Sequence, residues 1–374
     1  MSINHHLIGD QQAARGLATP VLILDLDAFQ RNVAKMAAHC REHGIALRPH
    51  AKTHKSVTVA KAQIAAGAIG ICCAKVGEAE ALGAGGVGGI LITSPVVARQ
   101  ALARLAALNL TSSGLIVVVD HAESAAALSA AALATGKPID VLVDIDPGMG
   151  RSGVQPGAAA LALAATIAPL AGLRLVGIQC YDGDVQHVAV FNDRKARSLA
   201  AMTVLAHARD AFRQAGFATG VLSGGGTGTF DIDPPAGALT ELQAGSYVFM
   251  DRQYNEIAHA GQGPPFETAL FVETTVISAN RPGRVTTDAG LKAFATDDGA
   301  PLIRTPGIRG DYTFVGDEQG SVRFQGDAQL GLGDTVRLVT PHCDPTVNLY
   351  DAYHVMRGET LVDIWPIEAR GRSY

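Results

Sequence analysis

Charged side chains are scarce in this sequence of 374 residues. Asp, Glu, Lys and Arg make up 17% of it, whereas about a quarter is usual in globular domains. The 30 basic and 35 acidic residues give a formal net charge of −5, and no dense basic run occurs. This composition favours a compact protein with a large interior and argues against long disordered segments. Nucleic acid and anionic membranes are therefore not expected as partners.

Cysteine is also rare, and long apolar runs are missing. No apolar stretch approaches the ~20 residues that a membrane-spanning helix needs, and the N-terminus lacks the cationic and apolar regions of a secretory signal. The cysteines are odd in number and dispersed, which does not suit a disulfide framework. We therefore expect reduced thiols and a cytoplasmic protein. The cysteines are Cys40, Cys72, Cys73, Cys180 and Cys343.

Short β-branched runs alternate with Ala- and Leu-rich stretches through the first two-thirds of the chain. Apolar strands joined by helices indicate parallel β structure buried on both faces. Eight such units close a (β/α)8 TIM barrel of about 250 residues, which we predict as an α/β fold; an open doubly wound sheet is the alternative. The predicted strands are 21–26, 46–50, 69–74, 89–93, 115–120, 139–145, 173–180 and 220–223. The predicted helices are 27–43, 56–66, 77–84, 122–135, 158–169 and 193–215.

After about residue 240 the pattern changes to short strands separated by Gly, Pro and Asp turns. No long helical pattern intervenes, which indicates a second, mostly antiparallel β domain. We place the barrel domain at 19–250 and the β domain at 251–374, with residues 1–18 assigned to the latter because barrel chains often begin and end near each other. The predicted strands of this domain are 271–277, 284–288, 312–315, 335–338 and 361–365.

A dense chemical cluster, Arg48-Pro49-His50-Ala51-Lys52-Thr53-His54-Lys55, follows the second predicted strand. In an extended chain His50, Lys52 and His54 would project to one side. Barrel active sites lie where the strands end. A partly desolvated lysine among cationic groups has a lowered pKa, and its amine forms Schiff bases with aldehydes such as pyridoxal phosphate (PLP). The alternative is a basic surface loop.

A glycine-rich segment, Ser223-Gly224-Gly225-Gly226-Thr227-Gly228, follows the last predicted barrel strand. Consecutive glycines let backbone N–H groups converge on an anion, and barrels often hold phosphate after strands seven and eight. The segment matches neither a Walker loop nor the dinucleotide-binding Gly-x-Gly-x-x-Gly pattern. It therefore predicts a phosphate site, with a flexible turn as the alternative.

A third cluster, Pro341-His342-Cys343-Asp344-Pro345, lies in the predicted β domain. On a strand His342 and Asp344 would face one way and Cys343 the other. An imidazole with a carboxylate suits Mn²⁺, Mg²⁺ or Zn²⁺, and two protein ligands leave positions open for water or substrate, as in a catalytic site. The alternative is a buried thiol beside a turn carboxylate.

Taken together, these motifs resemble the D-threonine aldolase, 3-hydroxy-D-aspartate aldolase and D-serine dehydratase family, alanine racemase-like PLP enzymes of fold type III. The resemblance covers nearly the whole chain and is specific for the family more than for a substrate. Besides the three clusters, it rests on Gly70-Ile71-Cys72-Cys73, Gly148-x-Gly150-Arg151-x-Gly153, Leu242-Gln243-x-Gly245-Ser246-Tyr247, Asp288-Ala289-Gly290-Leu291-Lys292 and Trp365-Pro366.

The resemblance implies a role for each candidate site residue. Lys52 would carry PLP as a Schiff base, Ser223 to Gly228 with Tyr247 would hold its phosphate, and His342 with Asp344 would hold a divalent metal, Mn²⁺ first. Arg151 would meet the pyridine nitrogen or phenolic oxygen; the alternative is a surface ion pair. Tyr181 would contact the ring or substrate, and His187 would be the base for the substrate hydroxyl. Rim packing and a structural histidine are their alternatives.

The implied activity is retro-aldol cleavage of D-β-hydroxy-α-amino acids to glycine and an aldehyde by a homodimer. The family's dehydratases carry Cys at the second metal-ligand position, so Asp344 favours an aldolase over a dehydratase that yields a 2-oxo acid and ammonia. A non-catalytic PLP carrier would not need the metal pair, and a racemase would need a catalytic tyrosine for which no clear candidate exists. D-threonine, D-phenylserine and 3-hydroxy-D-aspartate stay open as substrates.

Overall fold

The computed structural model describes residues 3–261, 263–325 and 330–374. Contacts between residues divide this part of the chain into two compact units. The unit that we call the β unit contains the described residues of Met1–Ala34, Thr53–Thr58 and Ser246–Arg370. The second, the barrel unit, contains Lys35–Lys52, Val59–Gly245 and Gly371–Tyr374.

The described residues form strands and helices with the following bounds. The strands are β1 (Val21–Asp25), β2 (Ala46–Leu47), β3 (Ile71–Cys73), β4 (Ile90–Ile92), β5 (Ile116–Val119), β6 (Ile139–Ile145), β7 (Leu173–Cys180), β8 (Val221–Gly224), β9 (Glu241–Leu242), β10 (Leu270–Arg281), β11 (Arg284–Thr287), β12 (Leu302–Ile303), β13 (Arg309–Phe314), β14 (Gly320–Gln325), β15 (Thr335–Val339), β16 (Ala352–Arg357) and β17 (Thr360–Pro366). The helices are α1 (Leu26–Glu42), α2 (Val57–Ala65), α3 (Val76–Ala84), α4 (Arg99–Thr111), α5 (Ala122–Thr135), α6 (Ala158–Ile167), α7 (Phe191–Gln214), α8 (Arg252–Glu256) and α9 (Cys343–Val347). None of these helices combines the length and the apolar character needed to cross a membrane.

The barrel unit contains an eight-stranded parallel sheet in the order β2-β9-β8-β7-β6-β5-β4-β3. A bridge between His50 and Cys72 joins the two ends of this order, supported by the Cys72 N–H donating to the Pro49 carbonyl at 2.9 Å. The predicted barrel fold is therefore confirmed. Because all strands run the same way, the residues that follow them gather at one rim.

The first predicted barrel strand belongs to the other unit. Residues 21–26 do not open the barrel: β1 lies in the β unit, and the eighth barrel strand is β9, which the sequence pattern does not predict. The Val-Leu-Ile-Leu run of β1 has the composition of a buried parallel strand, and β1 is buried between two neighbours. In contrast, β9 has two residues, one of them charged. Apart from this strand, the predicted domain limits stay predictions.

A buried ion pair explains how a charged residue fits into β9. The Arg48 guanidinium donates two hydrogen bonds to the Glu241 carboxylate, each 2.9 Å long, and both side chains are buried. Arg48 follows β2 directly, so the pair links the two strands that lie next to each other in the barrel. Two parallel hydrogen bonds fix both position and orientation, which a single contact would not.

In the β unit the strands form a mostly antiparallel sheet, as predicted. Its order is β13-β14-β11-β10-β1-β16-β17, and β15 pairs with both β10 and β12. Strand β1 pairs antiparallel with β10 and parallel with β16, which makes it a central strand. Its Val21 and Ile23 pack in an apolar cluster with Phe271 and Leu361.

Asn4 anchors the N-terminal segment to this sheet. Its Oδ1 accepts a hydrogen bond from the Ala18 N–H at 2.9 Å, and its Nδ2 lies 3.0 Å from Nε2 of His354 on β16. An amide nitrogen donates and does not accept, so His354 Nε2 must accept this bond and the imidazole is neutral. Burial lowers the pKa of His354 to about 4.

The His354 imidazole makes the stability of the protein depend on pH. The ring is neutral in the folded state but becomes protonated in the unfolded state below its ordinary pKa of 6.5, so stability is lost as pH falls from 6.5 towards 4. We expect the stability advantage of wild type over His354→Gln to shrink by about 2 kcal/mol between about pH 7.5 and about pH 5.

Urea unfolding of both proteins at the two pH values measures this difference. Buried carboxyl groups with raised pKa values act in the opposite direction, but they are common to both proteins and cancel. The exposed His6→Gln is the matched control, and its difference from wild type should not change with pH. An unchanged difference for His354→Gln would contradict the prediction.

Candidate active site

A polar cavity of about 180 Å³ lies at the rim where the barrel strands end. Its walls come from the ends of parallel strands and the segments that follow them, so side chains distant in sequence meet there. Lys52, Arg151 and Tyr181, three of the predicted site residues, lie together in these walls. The full lining is His50, Lys52, Ala74, Thr93, Ser94, Arg151, Gln179, Tyr181 and Gln243.

The segment that carries Lys52 is a turn. Residues 51–54 do not form the extended chain that would place His50, Lys52 and His54 on one side, so that expectation is wrong. Strand β2 ends at Leu47, and the backbone turns once it has passed the bridge at His50. The turn brings the Lys52 side chain into the cavity wall, where it is half-buried.

His50 stands beside Lys52 as a hydrogen-bonding group. Its Nδ1 accepts from the Lys52 backbone N–H at 3.3 Å, and its Nε2 lies 3.0 Å from the Thr93 hydroxyl. With Nδ1 accepting, the ring's one proton belongs on Nε2, so His50 is neutral in this arrangement. His50 therefore positions the turn, and it does not supply the positive charge that the sequence suggested for lowering the lysine pKa.

Arg151 and Tyr181 form one wall of the cavity together. The Arg151 guanidinium lies over the Tyr181 ring, 5.4 Å from its centroid. The loop before Arg151 is held by the Asp146 carboxylate, which accepts hydrogen bonds from three backbone N–H groups, those of Gly148, Met149 and Gly150. Because the loop is fixed at its base, the arginine is presented to the cavity in a defined position.

Two glutamines in the wall are not among the residues predicted from the sequence. Gln179 donates hydrogen bonds to Asp144 and Thr93, and Gln243 bonds to Gln179 and to Ser223. Burial raises the pKa of Asp144 to about 6. Gln243 lies in one of the motifs that carry the family resemblance, but that motif does not indicate its role, and Gln179 is a single amide within an apolar strand that no sequence signal distinguishes.

The glycine-rich segment begins at Ser223, which does not line the cavity itself but is hydrogen-bonded to Gln243 of the cavity wall. Gly225 has φ +68°, and a Cβ there would lie 2.6 Å from the Asp233 carboxylate, so glycine is required. The loop uses part of its own donor set: the Gly226 N–H donates to the Thr229 hydroxyl at 3.2 Å, and the Gly228 N–H donates to Gln186 Oε1 at 2.9 Å.

Other loop residues named from the sequence lie in different surroundings. Gly224 ends β8 and Thr227 lies in the loop that follows, and both residues are buried. Tyr247 belongs to the β unit, where its ring is buried 5.6 Å from that of Phe266. His187 lies in the turn after β7, directly after Gln186; it is exposed and is not among the residues that line the cavity. Its predicted role therefore stays a prediction.

The metal motif in the β unit is a helix start. The sequence predicts a strand for His342 and Asp344, but residues 343–347 form α9 and His342 precedes its first turn, so the strand prediction is wrong. The Cys343 backbone N–H donates to the buried Asp251 carboxylate at 2.8 Å, which fixes the turn. Burial also raises the pKa of Asp251 to about 6.

The side chains of His342 and Asp344 each have a neighbour that orients them. His342 Nδ1 lies 2.7 Å from the Asp297 carboxylate, and Asp344 Oδ1 accepts a hydrogen bond from the Ser246 hydroxyl at 3.3 Å. Asp297, which lies 45 residues before His342, is not predicted from the sequence. Within the described ranges no cluster of three or more His, Cys, Asp or Glu side chains is arranged to hold a metal ion.

Comparison with known proteins places these features in a family. A family model described as alanine racemase, N-terminal domain, matches residues 24–253, and one described as a putative serine dehydratase domain matches residues 269–356. The chain is 43% identical over 358 residues to a D-threonine aldolase of Arthrobacter sp, covering 95% of this chain and 93% of that protein.

Two further relatives agree with this placement. The 3-hydroxy-D-aspartate aldolase of Paracoccus denitrificans (strain Pd 1222) is 41% identical over 366 residues, covering 96% of this chain and 93% of that protein. The crystal structure of D-threonine aldolase from Filomicrobium marinum superposes with a TM-score of 0.92 at 41% identity, covering 96% of this chain and 97% of that one. The chain therefore belongs to the D-threonine aldolase, 3-hydroxy-D-aspartate aldolase and D-serine dehydratase family, alanine racemase-like PLP enzymes of fold type III.

Proposed function

We propose that this protein is a PLP- and divalent-metal-dependent aldehyde-lyase. It cleaves D-β-hydroxy-α-amino acids of the D-threonine type to glycine and an aldehyde. The observation that carries the proposal is the Lys52 side chain in the wall of the rim cavity, beside Arg151 and Tyr181. The aldolases related to this chain along nearly its whole length support the reaction type.

The residues of the barrel unit fit PLP. Lys52 would hold the cofactor as a Schiff base, and the loop from Ser223 to Gly228 would receive its phosphate, with Tyr247 assigned to the same phosphate from the family pattern. Gly225 has φ +68°, the left-handed conformation found where successive backbone N–H groups turn towards one anion. When bound, PLP is an electron sink for the charge left on Cα as the Cα–Cβ bond breaks.

The residues around α9 fit a divalent metal. With Nδ1 of His342 facing Asp297, the Nε2 atom is the nitrogen that can bind a cation, and a carboxylate partner of this kind is typical of metal-binding histidines. Asp344 would supply a carboxylate oxygen, which favours Mn²⁺ over softer ions. A bound cation lowers the pKa of a hydroxyl group that contacts it.

The protein's own groups then move one proton and hold the substrate in place. His187 is the proposed base that takes the proton of the β-hydroxyl, whose oxygen becomes the aldehyde carbonyl as the Cα–Cβ bond breaks. Cleavage requires this bond to stand perpendicular to the conjugated plane, so the cavity must fix the rotation about Cα. Arg151 and Tyr181 are the side chains available for this orientation.

Assembly and compartment are part of the same proposal. The described cysteines are all buried free thiols, which suits a reducing cytoplasm. A homodimer is expected from the family pattern, and the substrate is a small amino acid with no nucleic acid or membrane partner. Sedimentation of the purified protein tests the dimer, which a single monomeric boundary at assay concentration would exclude.

Product analysis separates the aldolase from its dehydratase alternative. With D-threonine, PLP and Mn²⁺ we expect glycine and acetaldehyde in equal amounts, because Asp344 stands where a dehydratase would carry Cys. Chromatography of the reaction mixture measures both products. A control with L-threonine should give neither product. Formation of 2-oxobutanoate and ammonia without glycine would show that the protein is a dehydratase.

Replacement of Lys52 tests the attachment of the cofactor. Lys52→Ala has no amine at the rim, so the near-visible absorbance of the protein-bound Schiff base should disappear and turnover should fall to background. Lys61→Ala, on the exposed side of α2, is the matched control and should keep the band. A band that persists in Lys52→Ala at full strength would assign the Schiff base to another lysine.

Asp297 provides a test of the metal pair that does not depend on turnover. Asp297→Asn keeps the shape of the side chain but removes the charge behind His342, so affinity for Mn²⁺ should fall roughly 10- to 100-fold. Electron paramagnetic resonance titration of free Mn²⁺ measures the dissociation constant without PLP. The neighbouring Asp298→Asn is the control. Equal affinities in all three proteins would remove His342 from the metal site.

A further inference from the structure

A row of buried polar side chains connects the rim cavity to the start of the glycine-rich loop. Its members, all in the barrel unit, are Asp144, Gln179, Gln243 and Ser223, each less than 5% exposed. On β6 the position two residues before Asp144 faces the same side, and Leu142 at that position is part of a buried apolar cluster with residues of other barrel strands. The row is therefore the polar layer that ends this apolar interior.

The acceptors at one end of the row, Asp144 and the Thr93 carbonyl, fix the direction of every hydrogen bond in the row. Gln179 Nε2 lies 2.9 Å from Asp144 Oδ1 and 3.1 Å from the Thr93 carbonyl oxygen. Both partners are acceptors, so the nitrogen of the Gln179 amide must face them and the oxygen must point away. Even a protonated Asp144 leaves this orientation unchanged, because the Thr93 carbonyl can only accept.

Gln243 is oriented in turn by Gln179. Its Nε2 donates one proton to Gln179 Oε1 at 3.0 Å and the other to the Ser223 hydroxyl oxygen at 2.8 Å. Both protons of the Gln243 amide are thus used within the row. The Ser223 oxygen accepts, and its own proton is left to be donated away from Gln243.

This orientation matters because part of the glycine-rich loop's own donor set is already used. The N–H groups of Gly226 and Gly228 already donate to Thr229 and Gln186 within the protein. A phosphate needs several donors, and a hydroxyl that donates to an anion makes a stronger hydrogen bond than a neutral pair does. A serine turned the other way would present a lone pair and repel the phosphate.

We propose that Gln179 and Gln243 are positioning residues that hold the Ser223 hydroxyl as a hydrogen-bond donor for the phosphate of the cofactor. The inference rests on the proposed function, since it takes PLP as the ligand of the loop. Thr93 and Asp144 fix the orientation of the Gln179 amide, Gln179 fixes that of Gln243, and Gln243 thereby fixes the direction of its hydrogen bond to Ser223. The two glutamines act through the serine and need not touch the phosphate themselves.

The test is a comparison of PLP with pyridoxal, which lacks the phosphate. Dissociation constants of both are measured on cofactor-free protein by absorbance titration, for wild type, Ser223→Ala, Gln243→Glu and the double variant. A carboxylate at position 243 has no proton to donate, so Ser223 must donate to it and turns away from the loop. Affinity for PLP should fall roughly 10- to 100-fold in Ser223→Ala and in Gln243→Glu, which is the range for a hydrogen bond to a charged group. Affinity for pyridoxal, which has no phosphate, should stay within about twofold of wild type in both variants.

The double variant separates a turned serine from simple charge repulsion by the introduced carboxylate. If the serine has turned, Ser223→Ala causes no further loss of PLP affinity in the Gln243→Glu background. A full additional loss there would overturn the proposal, as would equal losses for PLP and pyridoxal. Gln179→Leu provides a second cycle with Ser223→Ala should Gln243→Glu not fold, because it releases Gln243 without adding charge.

Wild type that binds neither compound as a Schiff base would instead contradict the proposed function. Because binding is measured without turnover, this outcome is distinct from the failure of the row. An unchanged PLP affinity in Ser223→Ala, with wild type binding normally, would remove Ser223 from the phosphate site and overturn the inference alone.

Discussion

Closure of the barrel between β2 and β3 is the constraint on which the site depends. The chain from β2 to the turn after His50 lies between β9 on one side and β3 on the other. Arg48 and Glu241 hold the first contact, and removal of one partner from such a buried pair typically costs about 3–5 kcal/mol. The bridge at His50 holds the second contact. Lys52 follows two residues later, so its position at the rim is a direct result of how the barrel closes.

Sequence patterns predicted the architecture more accurately than they predicted which strands lie next to each other. Apolar runs and helical stretches gave most barrel strands, and helix 122–135 agrees with α5 at both ends. The errors at β1 and β9 have one cause: composition reports burial, and burial does not say in which sheet a strand lies. Helix α4 is not predicted because its start carries no capping signal: the residue before it is Ala98, whose side chain cannot accept a hydrogen bond.

The candidate site divides in the same way. Lys52, Arg151 and Tyr181 are identified from motifs, and they meet in one cavity because parallel strands end at one rim. Gln179 and Asp297 could not be identified, and the role of Gln243 could not be predicted from its motif, because an amide or carboxylate gains its role only from a partner distant in sequence. The short helix α9 resembles a strand in sequence, since alternation over three residues cannot distinguish a turn from an extended chain. Motif chemistry is therefore predictable from the sequence, while the supporting hydrogen bonds depend on the folded chain.

The central place of β1 in the β unit has a consequence for how the chain is made. This strand leaves the ribosome early, but its partners β10 and β16 follow only after the whole barrel sequence. At about 5–20 residues per second, the strand waits on the order of tens of seconds for both neighbours. During that time an apolar segment with two open edges is exposed to other nascent chains. The sheet of the β unit therefore cannot form around β1 until the barrel sequence has been synthesised.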